Sequence, residues 1–366
     1  GYDIIDVDER IKLEEYATAY KAYLNAARTE REAVTEAIAQ AEALGFVPYE
    51  RGMVLEPGTK IYKSVRGKAL MLAVMGRETL DHGANIAAAH VDSPRLDLKP
   101  IPLYEKDEIC LLKTHYYGGI KKYQWTTTPL ALHGVVAKKD GTVVKVTVGE
   151  DANDPIFCVT DLLIHLAADQ MKKTLAEGVT GENLNILLGS RPLKDDEGAD
   201  RIKFAVLCLL NEKYGITEED FLSAELTMVP AGPARDVGFD RSMIAAYGHD
   251  DRVCAYAELA AIFDMQHPAK TAVCIFADKE EIGSEGVSGM QGDYFEYVMA
   301  SLCHAQGVGL RECLAHSFCL SADVTAAYDP NFSEVYERRN SAYANYGIGL
   351  CKYTGSGGKG GASDAS

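Results

Sequence analysis

Four short motifs in this 366-residue chain combine histidine with aspartate and glutamate. They are His90-Val-Asp92-Ser-Pro-Arg95, His249-Asp250-Asp251-Arg252, Asp278-Lys-Glu280-Glu281-Ile-Gly-Ser284 and Ser321-Ala-Asp323. A histidine nitrogen together with several carboxylate oxygens suits divalent ions such as Zn²⁺, Mn²⁺ or Co²⁺. Each motif alone is typical of a cap, a turn or a solvated surface. The metal-site interpretation therefore depends on the motifs lying together.

Residue spacing within the motifs indicates how such a site would work. Asp92 stands two residues after His90, where its carboxylate can accept the second imidazole N–H and fix the tautomer. The carboxylate of Asp250 can bridge two ions about 3.5–4 Å apart. The adjacent Glu280 and Glu281 can divide the work, one binding metal and the other moving protons.

Apolar segments that lead into three of the motifs predict strands. These segments are residues 85–91, 271–277 and 317–322, and a helix is predicted over residues 251–266. In an open α/β sheet, the loops beyond the carboxyl ends of the strands converge on one crevice. We therefore expect His90, Glu280, Glu281 and Asp323 to share one pocket.

The remaining segments predict a second, strand-rich region. Helices are expected within residues 8–44, with a break near 25–29, and at 160–175, 200–214 and 294–306; strands are expected at 69–75, 109–112, 132–137 and 142–148. Asp140-Gly141 between two β-branched runs predicts a hairpin. The order predicts one α/β domain, residues 1–102 and 241–366, interrupted by an inserted domain at 103–240.

The four motifs, in this order, resemble those of the M18 aminopeptidases, which are aspartyl aminopeptidase-like dizinc exopeptidases. The likeness covers nearly the whole chain, including His-Tyr-Tyr-Gly-Gly-Ile-Lys-Lys-Tyr-Gln-Trp at residues 115–125. The resemblance implies an α/β fold: a zinc-exopeptidase-like three-layer catalytic domain with an inserted β-rich dimerisation domain. It also implies removal of N-terminal residues from peptides by a water that two metal ions activate, most often zinc, with manganese or cobalt as alternatives.

The resemblance further implies a role for each site residue. The implied metal ligands are His90 and Asp323 on one ion, Glu281 on the other and Asp250 between them. Asp92 would orient His90, and Glu280 would be the general base.

Assembly is also implied by the resemblance. Related enzymes form dimers through the inserted domain, often gathered into a dodecamer, and a histidine of the insert reaches the neighbouring subunit's site. The matching residue is His165, which without the resemblance is read as a histidine on an amphipathic helix. Insert residues that could pair across such an interface are Tyr116, Tyr117, Trp125, Val143 and Val144.

Two departures from the family pattern concern the second ion and the substrate. Family members carry one more histidine ligand after a glycine-rich segment, whereas no histidine follows that segment before Ser366. We expect that ligand, and the carboxyl-terminal end of the catalytic domain, to lie outside this sequence. Relatives specific for acidic residues often carry histidine after the aspartate that matches Asp323, but Val324 stands here. Lys352 matches a lysine that some relatives present to an acidic side chain, so N-terminal specificity stays open.

Composition excludes several partners. The net charge of −17, from 37 Lys and Arg against 54 Asp and Glu, disfavours nucleic-acid binding, which needs clustered basic residues. No apolar run approaches the roughly 18 residues that span a bilayer, and no signal peptide is visible, so we expect no membrane partner. Nine cysteines without a Cys-x-x-Cys pair indicate reduced thiols in the cytoplasm.

Two other functions are compatible with the motifs alone. One is another dinuclear amidohydrolase, such as a deacylase. The other is a non-catalytic, metallopeptidase-like assembly subunit, although retention of both Glu280 and Glu281 argues against it.

Overall fold

The fold comes from a computed structural model that describes residues 1–194, 198–354 and 362–363. The helices are α1 (Val7–Ala26), α2 (Glu30–Ala43), α3 (Leu175–Gly178), α4 (Arg201–Tyr214), α5 (His249–Phe263), α6 (Tyr294–Ala305) and α7 (Leu310–Ala315). The strands are β1 (Val47–Pro48), β2 (Lys60–Val65), β3 (Ala69–Val74), β4 (Ala84–His90), β5 (Arg95–Lys106), β6 (Ile109–Tyr117), β7 (Leu130–Ala137), β8 (Val143–Val148), β9 (Cys158–Val159), β10 (Ile186–Gly189), β11 (Ala224–Pro230), β12 (Arg235–Val237), β13 (Met243–Ala245), β14 (Thr271–Ala277), β15 (Phe318–Ser321), β16 (Tyr353–Thr354) and β17 (Ala362–Ser363). The glycine-rich segment at 355–361 lies outside the described residues.

The larger of two structural units, Tyr20–Ala322, contains a six-stranded sheet with the order β1-β2-β3-β14-β4-β15. β14, β4 and β15 are parallel neighbours, whereas β3 is antiparallel to both β2 and β14. The predicted strands at 69–75, 85–91, 271–277 and 317–322 are confirmed as β3, β4, β14 and β15.

Both faces of this sheet are covered by helices. All six residues of β3 are buried, as its unbroken apolar sequence requires for a strand between two helical layers. Leu72 packs in one cluster with Leu259 of α5, and Met71 packs in another with Met299 of α6. Helix, sheet and helix therefore form three layers, and the predicted α/β fold is confirmed.

A second sheet of the same unit has the order β8-β7-β11-β5-β6-β10-β9, and all its strand pairings are antiparallel. The predicted hairpin is confirmed, because β7 and β8 pair directly and Asp140 Oδ1 accepts the N–H of Thr142 at 2.9 Å. Buried Ile202 packs α4 against the core of this sheet. The predicted boundaries at residues 102 and 240 stay a prediction.

The helix predicted over residues 160–175 is wrong. The segment contains two single 3₁₀ turns, Ile164–Leu166 and Gln170–Lys172. Leu162, Leu163, Ile164 and Leu166 are all more than half exposed. An amphipathic helix is stabilised mainly by burial of its apolar face, and the described residues bury none of these four side chains.

Two residues expected at an interface between copies are instead buried within the chain. Tyr117 is 7% exposed and Trp125 is 9% exposed. Tyr116 and Val143, in contrast, are 42% and 64% exposed. Neither Tyr117 nor Trp125 can therefore form the surface predicted for them.

The smaller unit contains residues 1–19 and the described residues from Asp323 onward. Ala327 and Ala342 form a parallel bridge in it, and the rings of Tyr328 and Tyr343 stack with centroids 5.2 Å apart. Among the helices of the described residues, none is long and apolar enough to cross a membrane.

Candidate metal centre and active site

Three parallel strands of the six-stranded sheet end at one edge, and the motifs begin there. His90 is the last residue of β4 and pairs with Ala277, the last residue of β14. β15 lies on the other side of β4, where Ser321 pairs with Ala88. The expected convergence of strand ends is confirmed for these strands.

His90 is the buried centre of this edge, with 3% of its side chain exposed. Its Nε2 lies 3.1 Å from Asp250 Oδ1 and 3.7 Å from Glu280 Oε2. Burial lowers the pKa of His90, but hydrogen bonds to Asp250 and Asp92 outweigh it and raise the pKa to about 11. The surrounding carboxylates therefore favour positive charge at this position.

Asp92 is completely buried and holds several parts of the site together. Its backbone carbonyl lies 3.0 Å from His90 Nδ1, and its carboxylate oxygens accept the N–H groups of Glu280 and Glu281 at 3.2 and 3.3 Å. Burial alone would raise the pKa of Asp92. The hydrogen bonds with His90 and with the Tyr117 hydroxyl outweigh burial and lower the pKa overall, so the carboxylate is ionised. An ionised Asp92 can hold the imidazole in one orientation.

Glu280 and Glu281 lie on a single 3₁₀ turn that follows β14. Ser288 Oγ donates to Asp278 Oδ2 at 2.5 Å and the Ser284 N–H donates to the Lys279 carbonyl at 2.6 Å, so the turn is fixed at both ends.

The Glu281 carboxylate suits a bound cation. Its Oε1 is buried and accepts no hydrogen bond from the described residues. Burial and the negative charge of Asp250 raise the pKa of Glu281 to about 7, because both oppose another negative charge there. A divalent ion would satisfy this oxygen and offset the repulsion, so the donor set of imidazole nitrogen and carboxylate oxygen fits a metal.

Asp250 and His249 have different roles although they are adjacent. The Asp250 side chain is 51% exposed at the site, and its carbonyl accepts a 2.5 Å hydrogen bond from Ser93 Oγ. His249 Nδ1 lies 2.9 Å from the Tyr20 hydroxyl, and its Nε2 lies 2.9 Å from the Ile244 carbonyl. Both nitrogens of His249 are used in these structural contacts.

Asp323, Lys352 and His165 are the three remaining predicted site residues. Asp323 is exposed and begins the smaller unit, directly after Ala322, whose N–H donates to the Ala88 carbonyl at 2.9 Å. Lys352 is an exposed residue of the same smaller unit. His165 is exposed on the turn at Ile164–Leu166.

Two contacts of the site, those of Tyr117 and Ser93, are not predicted from the sequence motifs. Tyr117 belongs to β6, and its hydroxyl donates to Asp92 Oδ2 at 2.6 Å. This contact depends on the strand register that pairs Tyr117 with Arg95, and that register cannot be read from the sequence without the fold. Ser93 had a signal, since it directly follows Asp92 in the first motif.

Comparison with known proteins explains this arrangement. Residues 23–365 match the family model of the aminopeptidase I zinc metalloproteases, M18. The chain belongs to the M18 peptidase family. A probable M18 family aminopeptidase 1 of Clostridium acetobutylicum is 52% identical to this M18 peptidase, over 94% of the chain and 76% of the relative.

Solved structures agree with the sequence relatives. The M18 aminopeptidase of Thermotoga maritima superposes with a TM-score of 0.91 and 40% identity, over 97% of this chain and 78% of that one. Aminopeptidase I of Clostridium acetobutylicum superposes with a TM-score of 0.87 and 50% identity, over 94% and 76%. This M18 peptidase is thus a metal-dependent aminopeptidase, and the expected peptide hydrolase is confirmed. These relatives lend no support to the deacylase or to the non-catalytic subunit.

Proposed function

We propose that the enzyme hydrolyses the first peptide bond of its substrates at a centre of two divalent ions, most readily Zn²⁺, with Mn²⁺ or Co²⁺ as alternatives. One observation carries this proposal: Oε1 of Glu281 is buried, accepts no hydrogen bond from the described residues, and belongs to a carboxylate that interacts electrostatically with Asp250 and His90. His90 and Asp323 would hold one ion, Glu281 the other, and Asp250 would bridge them. Asp323 joins this set because it follows Ala322 at the strand edge that ends beside His90.

The proposed general base is Glu280. Its Oε2 lies 3.7 Å from His90 Nε2 while its side chain is 48% exposed, so it reaches both the metal-binding histidine and solvent. Bound divalent ions would polarise the scissile carbonyl and lower the pKa of water. Glu280 would accept the proton of the attacking water and return it to the leaving amine. The surplus of carboxylates would favour the protonated α-amino group of a peptide.

A chelation experiment tests the metal requirement. Amine release from a panel of aminoacyl chromogenic substrates should stop when the full chain is treated with a chelator and return when Zn²⁺, Mn²⁺ or Co²⁺ is added. Metal analysis of the most active form should give two ions per chain. Activity that survives complete chelation, or one ion per chain at full activity, would contradict the dinuclear centre.

We further propose that His165 acts in the site of a neighbouring copy, where it would donate to the developing oxyanion. The exposed apolar side chains of Leu163, Ile164 and Leu166 around it support contact with another chain. A yeast enzyme of the same fold, 21% identical, forms a dodecamer. Homo-oligomers from dimer to dodecamer are therefore proposed for this chain.

Complementation between two inactive variants tests this arrangement. Mixed oligomers of His165→Ala and Glu280→Gln should regain activity, because an intact Glu280 would meet an intact His165 from the other chain. Neither variant alone should regain it. Failure of mixed oligomers to gain activity, or a monomer with full activity, would contradict action across subunits.

Lys352 is the residue that we propose to influence the choice of substrate. We propose that Lys352 contacts acidic side chains of substrates. Lys352→Ala should therefore lower activity on substrates with N-terminal Asp or Glu more than on neutral ones. Equal effects on both classes would remove it from the substrate site.

We also propose a cytoplasmic location, which is supported by the nine cysteines, all unbridged.

A further inference from the structure

Tyr117 connects the second sheet to the candidate active site. It is the last residue of β6 and is 7% exposed. Its hydroxyl donates to Asp92 Oδ2 at 2.6 Å, within the range of about 2.5–2.7 Å for strong, charge-assisted hydrogen bonds from a hydroxyl to a carboxylate. This strand therefore makes a strong contact with a carboxylate at the carboxyl edge of the other sheet.

The Asp92 carboxylate also contacts three groups of the candidate active site. Its Oδ1 accepts the N–H of Glu280 and lies 3.4 Å from His90 Nδ1. Its Oδ2 accepts the N–H of Glu281 at 3.3 Å, a longer bond than the one from Tyr117. Without the tyrosine hydroxyl, Oδ2 would keep only that longer bond, and the carboxylate could rotate away from His90 and the turn.

The ring of Tyr117 is itself held in place. Arg95 lies directly opposite it in the β5–β6 pair, and the guanidinium carbon is 4.0 Å from the ring centroid. Arg95 is fixed in turn by Glu30 at 3.1 Å and by Asp97 at 2.7 Å. The hydroxyl therefore has little freedom to leave Asp92.

Gly118, which follows Tyr117, lies close to the turn that carries Glu280 and Glu281. A Cβ at Gly118, whose φ is +76°, would lie 3.2 Å from Glu281 Cβ, so the backbone after β6 packs against the turn that carries the glutamates. The end of β6 thus contacts this turn both directly and through Asp92.

We propose that Tyr117 is a positioning residue of the aminopeptidase: its hydroxyl fixes the Asp92 carboxylate, which orients His90 and the turn bearing Glu280 and Glu281. The proposal rests on the roles proposed above for those residues. It assigns the strand-rich sheet a direct part in shaping the active site.

The Tyr117→Phe variant tests this positioning role, because the substitution removes only the hydroxyl. Tyr116→Phe is the matched control: it lies beside Tyr117, is 42% exposed and stacks on His115. We expect Tyr117→Phe to weaken Zn²⁺ binding about tenfold, measured by competition with a chromogenic chelator, as for other partners that orient ligands. kcat should fall while KM changes little, and the control should match the wild type in each measurement.

A second readout needs neither metal nor substrate. Amide hydrogen exchange of the metal-free chain should become about fivefold faster in the peptide covering residues 280–284 in Tyr117→Phe, but not in Tyr116→Phe. Unchanged exchange and unchanged Zn²⁺ affinity would overturn the positioning role. Because exchange is measured without metal, this result is independent of whether the dinuclear proposal holds.

A double-mutant cycle tests whether Tyr117 acts through Asp92. In the Asp92→Asn background, Tyr117→Phe should cause no further loss of Zn²⁺ affinity and no further increase in exchange at 280–284. Additive losses would show that the hydroxyl acts independently of Asp92 and would overturn the proposal.

Discussion

The two sheets of the larger unit organise charged residues differently. In the six-stranded sheet, parallel neighbours far apart in sequence end at one edge and bring His90 to Ala277 and the turn beyond it. The strand pairings of the seven-stranded sheet are antiparallel, and its buried His133 is paired with carboxylates from other segments of the chain. His133, on β7, has one ring nitrogen 3.2 Å from Glu32 and the other 3.0 Å from Glu150.

This difference separates reactive from structural charges. At the parallel edge, carboxylates outnumber cations and Glu281 keeps a buried oxygen without a donor among the described residues. Around His133, both ring nitrogens face carboxylates, which favours the doubly protonated imidazolium. Arg28 lies 3.1 Å from Glu150 and Lys145 lies 3.2 Å from Glu32, so both negative charges are matched by cations. A surplus of carboxylates indicates a cation site, whereas matched charge indicates a structural contact.

The largest expected effect is at the parallel edge. Asp250→Ala should remove both of the proposed ions and reduce activity to background, because the bridging role proposed for this carboxylate serves both. Metal analysis of the purified variant checks this, and Asp264→Ala, at the other end of α5, is the control. An unchanged metal content would refute the bridging role of Asp250.

Glu280→Gln should separate metal binding from proton transfer at the same edge. We expect kcat to fall by about 10²–10⁴-fold, the usual contribution of a general base, with metal content nearly unchanged. Kinetics and metal analysis on one preparation measure both quantities. Full activity in this variant would end the assignment of Glu280 as the base.

In the antiparallel sheet, we expect substitution of a charged residue to change the stability of the fold. His133→Gln should lower the free energy of unfolding by about 1–3 kcal/mol, since Glu32 and Glu150 lose the imidazolium but keep Lys145 and Arg28 as partners. The exposed His82→Gln is the control and should change it little. Denaturant unfolding that gives the same value for both variants would show that the matched charges are dispensable.

The pH dependence of the His133 effect follows from its neighbours. Burial lowers the pKa of His133, but bonds to Glu150 and Glu32 raise it overall, and both carboxyl pKa values are lowered. The imidazolium stabilises the fold fully below the usual histidine pKa of about 6.5, and this contribution is lost as the pH rises through the raised value. The carboxylates contribute above about pH 4.3, a contribution lost as the pH falls through their lowered values. Unfolding at a series of pH values should therefore give the largest wild-type-to-variant difference between these limits and a smaller one in alkaline solution.

The smallest expected effect is in a turn of the antiparallel sheet. Gly141 has φ +87°, and apart from Gly141 itself and its two chain neighbours, no atom of the described residues lies within 4 Å of the position that a Cβ would take there. Gly141→Ala should therefore cost about 1 kcal/mol from backbone strain alone. Gly178→Ala, in helical backbone with equal space, should cost nothing or stabilise slightly. Equal unfolding free energies for the two variants would contradict a strained turn.

Sequence patterns predicted most of what is local. The Asp140-Gly141 hairpin, the run that became β3 and the break between α1 and α2 all depend on neighbours in the chain. The convergence of His90 with Glu280 was also predictable, because parallel strand ends share an edge.

Contacts between distant segments that do not follow from a shared sheet edge were not predictable. The Arg95–Tyr117 pair and the burial of His133 depend on strand register and on which sheet covers which, neither of which leaves a local signal. The failed helix at 160–175 has the same origin: its apolar spacing is helical, but no described part of the chain covers that face.

The position of β4 in its sheet has a consequence for biosynthesis. Both of its neighbours are translated much later: β14 at Thr271–Ala277 and β15 at Phe318–Ser321. The whole antiparallel sheet, which ends with β11 at Ala224–Pro230, leaves the ribosome before either. A nascent chain can therefore complete that sheet while β4 still has two unpaired edges. We expect the enzyme to acquire its metal-binding edge last, which makes this edge the vulnerable part of a stalled or truncated translation product.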